Sequence, residues 1–251
     1  MEKLDVDKSM TKGLIFYTDF NAPQLIQDVC LETLKEASAG LDVVSVSLNK
    51  PLGFGRNFVV EGTRSYTTMV KQILKGLEES TADIVFFCEA DVLYNKSHFD
   101  FVPNHDTVFY YNLNSWRWDY PKDRAINHDQ TSLSQMCCFR ELALDHYRKR
   151  LKRIVDEQLD KNDIPGKLQP VWVRALGYEP GTKRRKIGGF SDDVSDRWKS
   201  AFPNVDIRHG HTFSHPKIEL SHFKHQPPVW REITLKEIPG WELKQLFEMI
   251  W

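Results

Sequence analysis

IVFFCEAD, residues 84–91, is an unbroken apolar run that ends in two carboxylates. Continuous apolar character over this length is typical of a strand that is buried on both faces of a parallel sheet. In open α/β sheets, ligands bind outside the carboxyl ends of the strands. Glu89 and Asp91 are therefore predicted to lie at a ligand site.

The segments before this strand alternate between strand and helix patterns. Two β-prone runs, residues 13–17 and 43–48, enclose a helical pattern that begins near Pro23 and ends at Gly40. An apolar stripe at helical spacing over residues 69–77 then leads into the strand at residue 84. This order favours an α/β fold with a mainly parallel sheet flanked by helices. The glycine-containing stretch 51–62 has no clear period and is predicted to be a loop.

The second half of the chain has a less regular pattern, and residues 165–189 are rich in predicted loops. Strands are predicted at residues 107–111, 134–139, 171–173 and 205–207, and helices at 141–159, 195–200 and, weakly, 241–250. The length is compatible with one domain over residues 1–251 that carries a loop-rich C-terminal segment.

The composition is that of an ordinary globular protein, with 41% hydrophobic and 27% charged residues and a formal net charge of −1. A global attraction to nucleic acid is therefore not supported. No apolar run reaches the roughly 18 residues of a membrane span, and the acidic start lacks the layout of a signal peptide. We expect a cytoplasmic protein whose four cysteines, which show no CxxC spacing, are reduced core residues.

Glu89 and Asp91 supply hard oxygen ligands, which suit a divalent cation such as Mn²⁺ or Mg²⁺ with positions left open for phosphate oxygens. The alternative is that the two acids close a turn or cap a helix. Their position at the end of a buried strand favours the cation site. The sequence has no P-loop, no GxGxxG after the first strand and no GxSxG elbow.

Histidines are concentrated near the C-terminus, where five of the nine occur: His209, His211, His215, His222 and His225. Clustered imidazoles favour metal ligation, but the spacing matches neither HExxH nor a zinc finger. We expect one of them to complete the site of Glu89 and Asp91. The others are expected to be ordinary polar or hydrogen-bonded residues.

Two acids, Asp192 and Asp193, follow a glycine pair and Phe190. One of them can cap the helix predicted at 195–200. The other is a candidate general base, which takes the proton from an attacking hydroxyl. Two basic runs, 148–153 and 183–186, are interpreted either as solvated surface or as phosphate-binding segments.

These features together resemble the nucleotide-binding half of GT-A glycosyltransferases. The resemblance rests on the first strand with Thr18 and Asp19 at its end, the helix at 64–79, and Glu89-Ala90-Asp91, which corresponds to the DxD motif with Glu as the first acid. The stretch 203–210 is similar to one in uncharacterised bacterial and phage-encoded members of the group.

The resemblance covers residues 13–225 and implies a GT-A (Rossmann-like) fold with a mixed, mainly parallel sheet. Residues 13–100 would form the nucleotide-sugar-binding half and 101–230 the acceptor and catalytic half, with 231–251 as a C-terminal tail. A phage-encoded member would act in the cytoplasm of its host.

The resemblance also implies the residues of the donor site. Tyr17, Thr18 and Asp19 would contact the base and ribose, and Arg64 would approach the nucleotide or its diphosphate. Glu89 would mainly orient water or ribose.

A C-terminal histidine would join Asp91 and Glu89 in the metal and diphosphate shell, with His209 as the first choice and His211 as the second. Asp192 or Asp193 would be the base of an inverting enzyme.

The implied function is sugar transfer from a nucleotide-diphosphate sugar, a UDP-sugar above all, to an acceptor hydroxyl on a glycan, a small compound or a hydroxymethylated DNA base. Trp116, Trp118 and Tyr120 would form an acceptor wall or part of the core. Two other functions stay open: a metal-dependent phosphodiesterase or nuclease that uses Asp19, Asp91 and the histidine cluster, and a non-catalytic nucleotide-sugar binding module.

Overall fold

The computed structural model describes residues 10–127, 129–163, 172–177, 179–182, 190, 193–212, 224–225 and 229–248. Its strands are β1 Lys12–Thr18, β2 Asp42–Leu48, β3 Arg56–Val60, β4 Ile84–Glu89, β5 Val92–Leu93, β6 Val108–Asn112, β7 Ser115–Asp119, β8 Ala125–Asn127, β9 Met136–Phe139, β10 Val194–Trp198, β11 Asn204–Arg208 and β12 Arg231–Ile233. Its helices are α1 Gln24–Ala37, α2 Tyr66–Glu79, α3 Arg140–Asp156, α4 Val173–Leu176 and α5 Leu243–Glu248.

The larger sheet has the strand order β10-β6-β9-β4-β1-β2-β3. Pairing is parallel between β1 and β2, β1 and β4, β2 and β3, and β10 and β6. Among the strands described for this sheet, β9 alone is antiparallel to its neighbours. The sheet is therefore mainly parallel, which confirms the predicted fold class.

Helices cover both faces of this sheet. Ile15 and Val85 belong to the core cluster that contains residues of α2 and α3, whereas Leu14 and Phe86 belong to the cluster that contains Leu34 of α1. Strands β1 and β4 are thus buried on both faces, as the apolar run at residues 84–88 predicts.

A smaller sheet, in the order β12-β8-β7-β11-β5, begins directly after β4. Strand β5 pairs antiparallel with β11, and the backbone N–H of Ile207 donates to the carbonyl of Asp91 at 2.9 Å. Trp116 and Trp118 on β7 are buried in a core cluster with residues of α1 and α5. The core interpretation of these two tryptophans is therefore correct.

Three predicted elements were wrong. The stretch 51–62 contains β3, an edge strand that pairs with β2 through its backbone although its side chains give no clear pattern. Residues 194–198 form β10 and not a helix, because they pair in parallel with the edge strand β6. The predicted strand at 171–173 is replaced by the four-residue helix α4, and residue 171 lies outside the described residues.

All four cysteines are free and buried, which confirms their prediction as reduced core residues. Within the described part of the chain, no helix has the length and apolar character to cross a membrane.

Candidate functional site

A cavity of about 690 Å³ lies at the carboxyl ends of β1 and β4. This is the edge at which ligands bind in open α/β sheets. The cavity brings together eight of the residues that the sequence assigned to the site: Tyr17, Thr18, Asp19, Arg64, Glu89, Asp91, His209 and His211. They come from segments that are far apart in the chain.

Asp19 and Arg64 form an ion pair on the side of the cavity that β1 and α2 provide. The Nε of Arg64 donates to Oδ2 of Asp19 at 2.5 Å, and the backbone N–H of Asn21 donates to Oδ1 at 2.9 Å. Both carboxylate oxygens of Asp19 therefore accept a hydrogen bond from the protein. The pair fixes the orientation of the guanidinium group, which is suited to binding phosphate.

Glu89 is hydrogen-bonded to Tyr17, whose hydroxyl donates to Oε1 of Glu89 at 2.5 Å. Burial, followed by the negative charge of Asp91, raises the pKa of Glu89 to about 8. Glu89 is thus largely protonated near neutral pH in the unliganded site. A bound cation would favour its ionised form.

The two histidines have different hydrogen-bond partners, which assign different tautomers. In His209, Nδ1 accepts from the backbone N–H of His211 at 3.2 Å, so the proton of the neutral ring is on Nε2, which lies 3.5 Å from Oδ2 of Asp91. In His211, Nδ1 faces the carbonyl oxygen of Asn21 at 3.1 Å and therefore carries the proton. The lone pair of a neutral His211 is then on Nε2.

Six charged residues of the cavity were missed by the sequence analysis: Arg117, Asp129, Glu179, Arg197, Asp206 and Arg208. Arg208 donates to Oδ2 of Asp206, and the Nε of Arg117 lies 3.8 Å from the same oxygen. Burial raises the pKa of Asp206, and the two arginines oppose that shift. For three of them the available signal was a charge beside large apolar residues in a short strand: Arg117 lies between two tryptophans, and Asp206 and Arg208 flank Ile207.

The fit of this site to a divalent cation depends on Asp91. Among the described residues, no group of three or more His, Cys, Asp or Glu side chains is arranged to hold a metal ion. Asp91 nevertheless presents a partly exposed carboxylate to the cavity. Because Mg²⁺ is commonly held by one or two carboxylates together with substrate phosphates and water, the residues fit a cation that arrives with a phosphorylated ligand.

The predicted general base is only partly described. Asp192 lies outside the described residues, as do His215, His222 and the basic run 183–186. Asp193 precedes β10, and its Oδ2 lies 2.6 Å from Nδ1 of the buried His146 on α3. Neither Asp193 nor the exposed His225 is among the described residues that line the cavity.

The basic run 148–153 lies on α3, and four of its five basic side chains have acidic partners. Arg148 pairs with Glu78, Lys149 with Asp145, Lys152 with Asp156 and Arg153 with Glu157. This is the solvated, ion-paired surface that one of the two interpretations predicts. The fifth, Arg150, is buried.

No protein-family model matches the chain, and no curated protein sequence does. Solved structures with a weak likeness include the glycosyltransferase GlyE of Streptococcus pneumoniae, with 8% identity over 73% of this chain and 46% of that chain and a TM-score of 0.41. TarS of S. aureus, solved in complex with UDP-GlcNAc, has 12% identity over 80% of this chain and 59% of that chain, with a TM-score of 0.37. The bifunctional IspDF of Campylobacter jejuni has 10% identity over 57% and 44%, with a TM-score of 0.34.

The chain thus spans 44–59% of the length of these three structures. Because likeness at this level does not assign a function, the function has to be inferred from the cavity.

Proposed function

We propose that the chain is a GT-A glycosyltransferase, which moves a sugar from a nucleotide-diphosphate sugar to a hydroxyl group. The observation that supports this most is the composition of the cavity at the carboxyl ends of β1 and β4. It combines a fixed Asp19–Arg64 pair, the acids Glu89 and Asp91, and the two histidines. A donor with a sugar, a diphosphate and a nucleoside needs such neighbouring groups.

In this proposal the nucleoside of a UDP-sugar lies against Tyr17, Thr18 and Asp19. The ion pair at 2.5 Å leaves Arg64 oriented by Asp19, so the guanidinium is preorganised for the nucleotide or its diphosphate. Glu89, hydrogen-bonded to Tyr17, orients ribose or water.

Asp91 would hold the cation, Mn²⁺ or Mg²⁺, and the Nε2 lone pair of His211 would be a second ligand. When bound, the cation neutralises charge that develops on the departing nucleoside diphosphate. Nε2 of His209 faces that carboxylate at 3.5 Å without a hydrogen bond to it. Ligation by Nε2 of His209 itself would require its ring to lose the hydrogen bond from the His211 backbone.

The transfer step forms a bond between the acceptor oxygen and the anomeric carbon and breaks the bond from that carbon to the donor phosphate. The proton of the acceptor passes to a carboxylate, for which Asp192 and Asp193 are the proposed residues. Asp193 pairs with His146 at 2.6 Å and is not among the described residues that line the cavity, so Asp192 is the first to substitute. This arrangement corresponds to an inverting enzyme.

For the acceptor we propose a glycan or other small hydroxyl compound ahead of hydroxymethylated DNA. The exposed basic side chains of 148–153 have acidic partners, which reduces their attraction to a polyanion. The nuclease alternative needs Asp19 as a metal ligand. Both carboxylate oxygens of Asp19 already accept hydrogen bonds from the protein, which argues against this alternative.

The proposal predicts that a nucleotide sugar stabilises the protein in the presence of Mn²⁺. At a ligand concentration of 100 times Kd the native state gains about 2.7 kcal/mol, which raises the midpoint of thermal unfolding by roughly 5–10 °C for a chain of this size. Asp91→Asn should abolish the Mn²⁺-dependent part of the shift, and Glu89→Gln should reduce it less.

The assay is a thermal-shift screen of UDP-sugars and GDP-sugars with and without Mn²⁺. The matched control is Asp106→Asn, an exposed acid that does not line the cavity. A Mn²⁺-dependent shift that is equal in Asp91→Asn and in the control would exclude Asp91 as a ligand. Absence of any shift with every nucleotide sugar would exclude the proposed function.

A further inference from the structure

Arg150 differs from every other basic residue of the run 148–153, because its side chain is buried with 1% exposure. Burial of a guanidinium group costs several kcal/mol unless its donors are satisfied. Among the described residues, the acceptors of the Arg150 hydrogen bonds are a hydroxyl, two carbonyls and an imidazole nitrogen, and none is a carboxylate. Its charge is stabilised by neutral hydrogen-bond acceptors, and the positions of these acceptors show which segments Arg150 connects.

The donors of Arg150 reach three parts of the protein. Nη1 donates to the hydroxyl of Tyr66 at 2.5 Å and to the carbonyl of Gly177 at 2.9 Å, and Nη2 donates to the carbonyl of Leu176 at 3.3 Å. Nε donates to Nε2 of His146 at 3.0 Å, which places the proton of that ring on Nδ1, next to Asp193. The guanidinium also lies 5.3 Å from the ring centre of Phe190.

The carbonyls of Leu176 and Gly177 are at and just after the C-terminal end of α4, where helical hydrogen bonding leaves carbonyl groups unpaired. Arg150 therefore caps this short helix. The residues that follow are also held by side chains from the large sheet. The hydroxyl of Tyr111 on β6 donates to the carbonyl of Pro180 at 2.6 Å, and Ser195 on β10 donates to that of Gly181 at 3.0 Å.

We call residues 176–177 and 179–182 the Glu179 wall, because Glu179 and Thr182 in this segment line the cavity. The wall contacts β6 and β10, whereas the Asp19–Arg64 pair lies beside β1 and α2. In the sheet order these two groups of strands are on opposite sides of β4. The wall therefore borders the cavity on the side of β6 and β10, and Arg150 joins its Gly177 end to Tyr66, the first residue of α2.

We infer that Arg150 is a positioning residue that fixes the Glu179 wall, and that this wall forms the acceptor side of the cavity. The first part rests on the hydrogen bonds of Arg150 alone. The second part rests on the proposed function. The carboxylate of Glu179 lines the cavity and is a group that accepts hydrogen bonds from hydroxyl-bearing compounds, whereas the hydroxyl of Thr182 already donates to the carbonyl of Glu179 at 2.7 Å.

The test uses the full chain with Arg150→Met, which keeps an apolar stem and removes every donor, and Arg150→Lys, which keeps the charge. The matched control is Arg148→Met on the same helix, where the arginine is exposed and pairs with Glu78 at 3.4 Å. Amide hydrogen exchange is followed in the wall, in particular at Thr182, whose N–H donates to the carbonyl of Glu179. Exchange in β1 and β4 is the internal reference.

In Arg150→Met we expect exchange in the wall to accelerate about tenfold or more, with Arg150→Lys intermediate and the control unchanged. Binding of the UDP-sugar found in the thermal-shift screen should stay within about twofold, since Tyr17, Arg64 and Asp91 are untouched. With simple methyl glycosides as acceptors, the KM for the acceptor should rise while the Kd of the donor does not.

Unchanged exchange in the wall of a folded Arg150→Met protein would refute the positioning role. Accelerated exchange with an unchanged acceptor KM would refute the acceptor assignment alone. If wild type binds no nucleotide sugar, the proposed function fails and the exchange result still decides the role of Arg150. If Arg150→Met does not fold, the same measurement is made on Tyr66→Phe, which removes one hydrogen-bond partner of Arg150. Amide exchange in the wall that is unchanged, or that accelerates equally along the whole chain, would then contradict the inference.

Discussion

His98 should make the protein sensitive to mild acid. Its ring is fully buried and stacks on Trp198 with 5.5 Å between ring centres, and its Nδ1 lies 3.1 Å from the amide nitrogen of Asn112. Burial lowers the pKa of His98 from 6.5 to about 3. Because the unfolded chain binds this proton below about pH 6.5 and the native protein does not, stability is present above that pH and is lost as the pH falls toward 3.

The size of the effect follows from the same two values. At pH 5 the unfolded state gains about 2 kcal/mol from protonation of this residue, since each pKa unit corresponds to about 1.4 kcal/mol. His98→Gln keeps an acceptor for Asn112 and does not titrate. We therefore expect the variant to lose about 2 kcal/mol less than wild type between pH 7.5 and pH 5.0.

Urea unfolding at the two pH values measures this difference directly. The matched control is His105→Gln, because His105 is a partly exposed histidine in the loop between His98 and β6. If wild type and His98→Gln lose the same free energy of unfolding between the two pH values, the buried, neutral state of His98 is incorrect. If the variant is less stable than wild type by the same amount at both pH values, the comparison still holds, because it uses only the change in the free energy of unfolding between the two pH values.

Two further predictions concern the site and the packing of α2. His211→Gln should weaken Mn²⁺-dependent donor binding about tenfold or more, whereas His209→Gln should weaken it less, because Nε2 of His209 makes no hydrogen bond to Asp91 and is not the proposed ligand; the reverse order, by titration calorimetry, would contradict the tautomers assigned to the two rings. Gly76→Ala should destabilise the protein by about 1–2 kcal/mol although alanine favours helices, because its Cβ would lie 2.7 Å from Cγ2 of Ile15 on β1. Urea unfolding of Gly76→Ala is compared with that of Lys71→Ala, a substitution on the exposed face of the same helix. A Gly76→Ala protein that is more stable than wild type would contradict this prediction.

The fold of residues 13–100 was predictable from sequence because its signals are local. A fully apolar strand such as β4 has few alternatives to burial on both faces, and carboxyl ends of parallel strands meet at one edge. The convergence of Asp19, Glu89 and Asp91 in one cavity follows from these two rules. The antiparallel strand β9 does not disturb this edge, because β1, β2 and β4 pair in parallel with one another.

The second half was less predictable because its elements depend on distant partners. Strand β10 has a sequence that is compatible with a capped helix, and its pairing with β6 determines its conformation. The same limit applies to charge. The helical period puts Arg150 in line with the buried Ala143, Tyr147 and Ile154, but its partners Leu176 and Gly177 come from a distant segment and cannot be read from the run 148–153. Likewise, Asp206 and Arg208 become site residues only when β11 pairs with β5 beside Asp91.

The pairing of β11 also determines how precisely the proposed cation site is built. Asp91 follows the buried strand β4, and its carbonyl accepts the backbone N–H of Ile207 at 2.9 Å. His209 follows β11 directly, so its distance from Asp91 is set by a strand register and not by a free loop. Because the register of a strand is fixed by its buried side chains, the core residues Val205 and Ile207 support the site without touching it. The two halves of the chain are therefore joined at Asp91 by backbone hydrogen bonds, and a ligand that binds Asp91 finds His209 already in place.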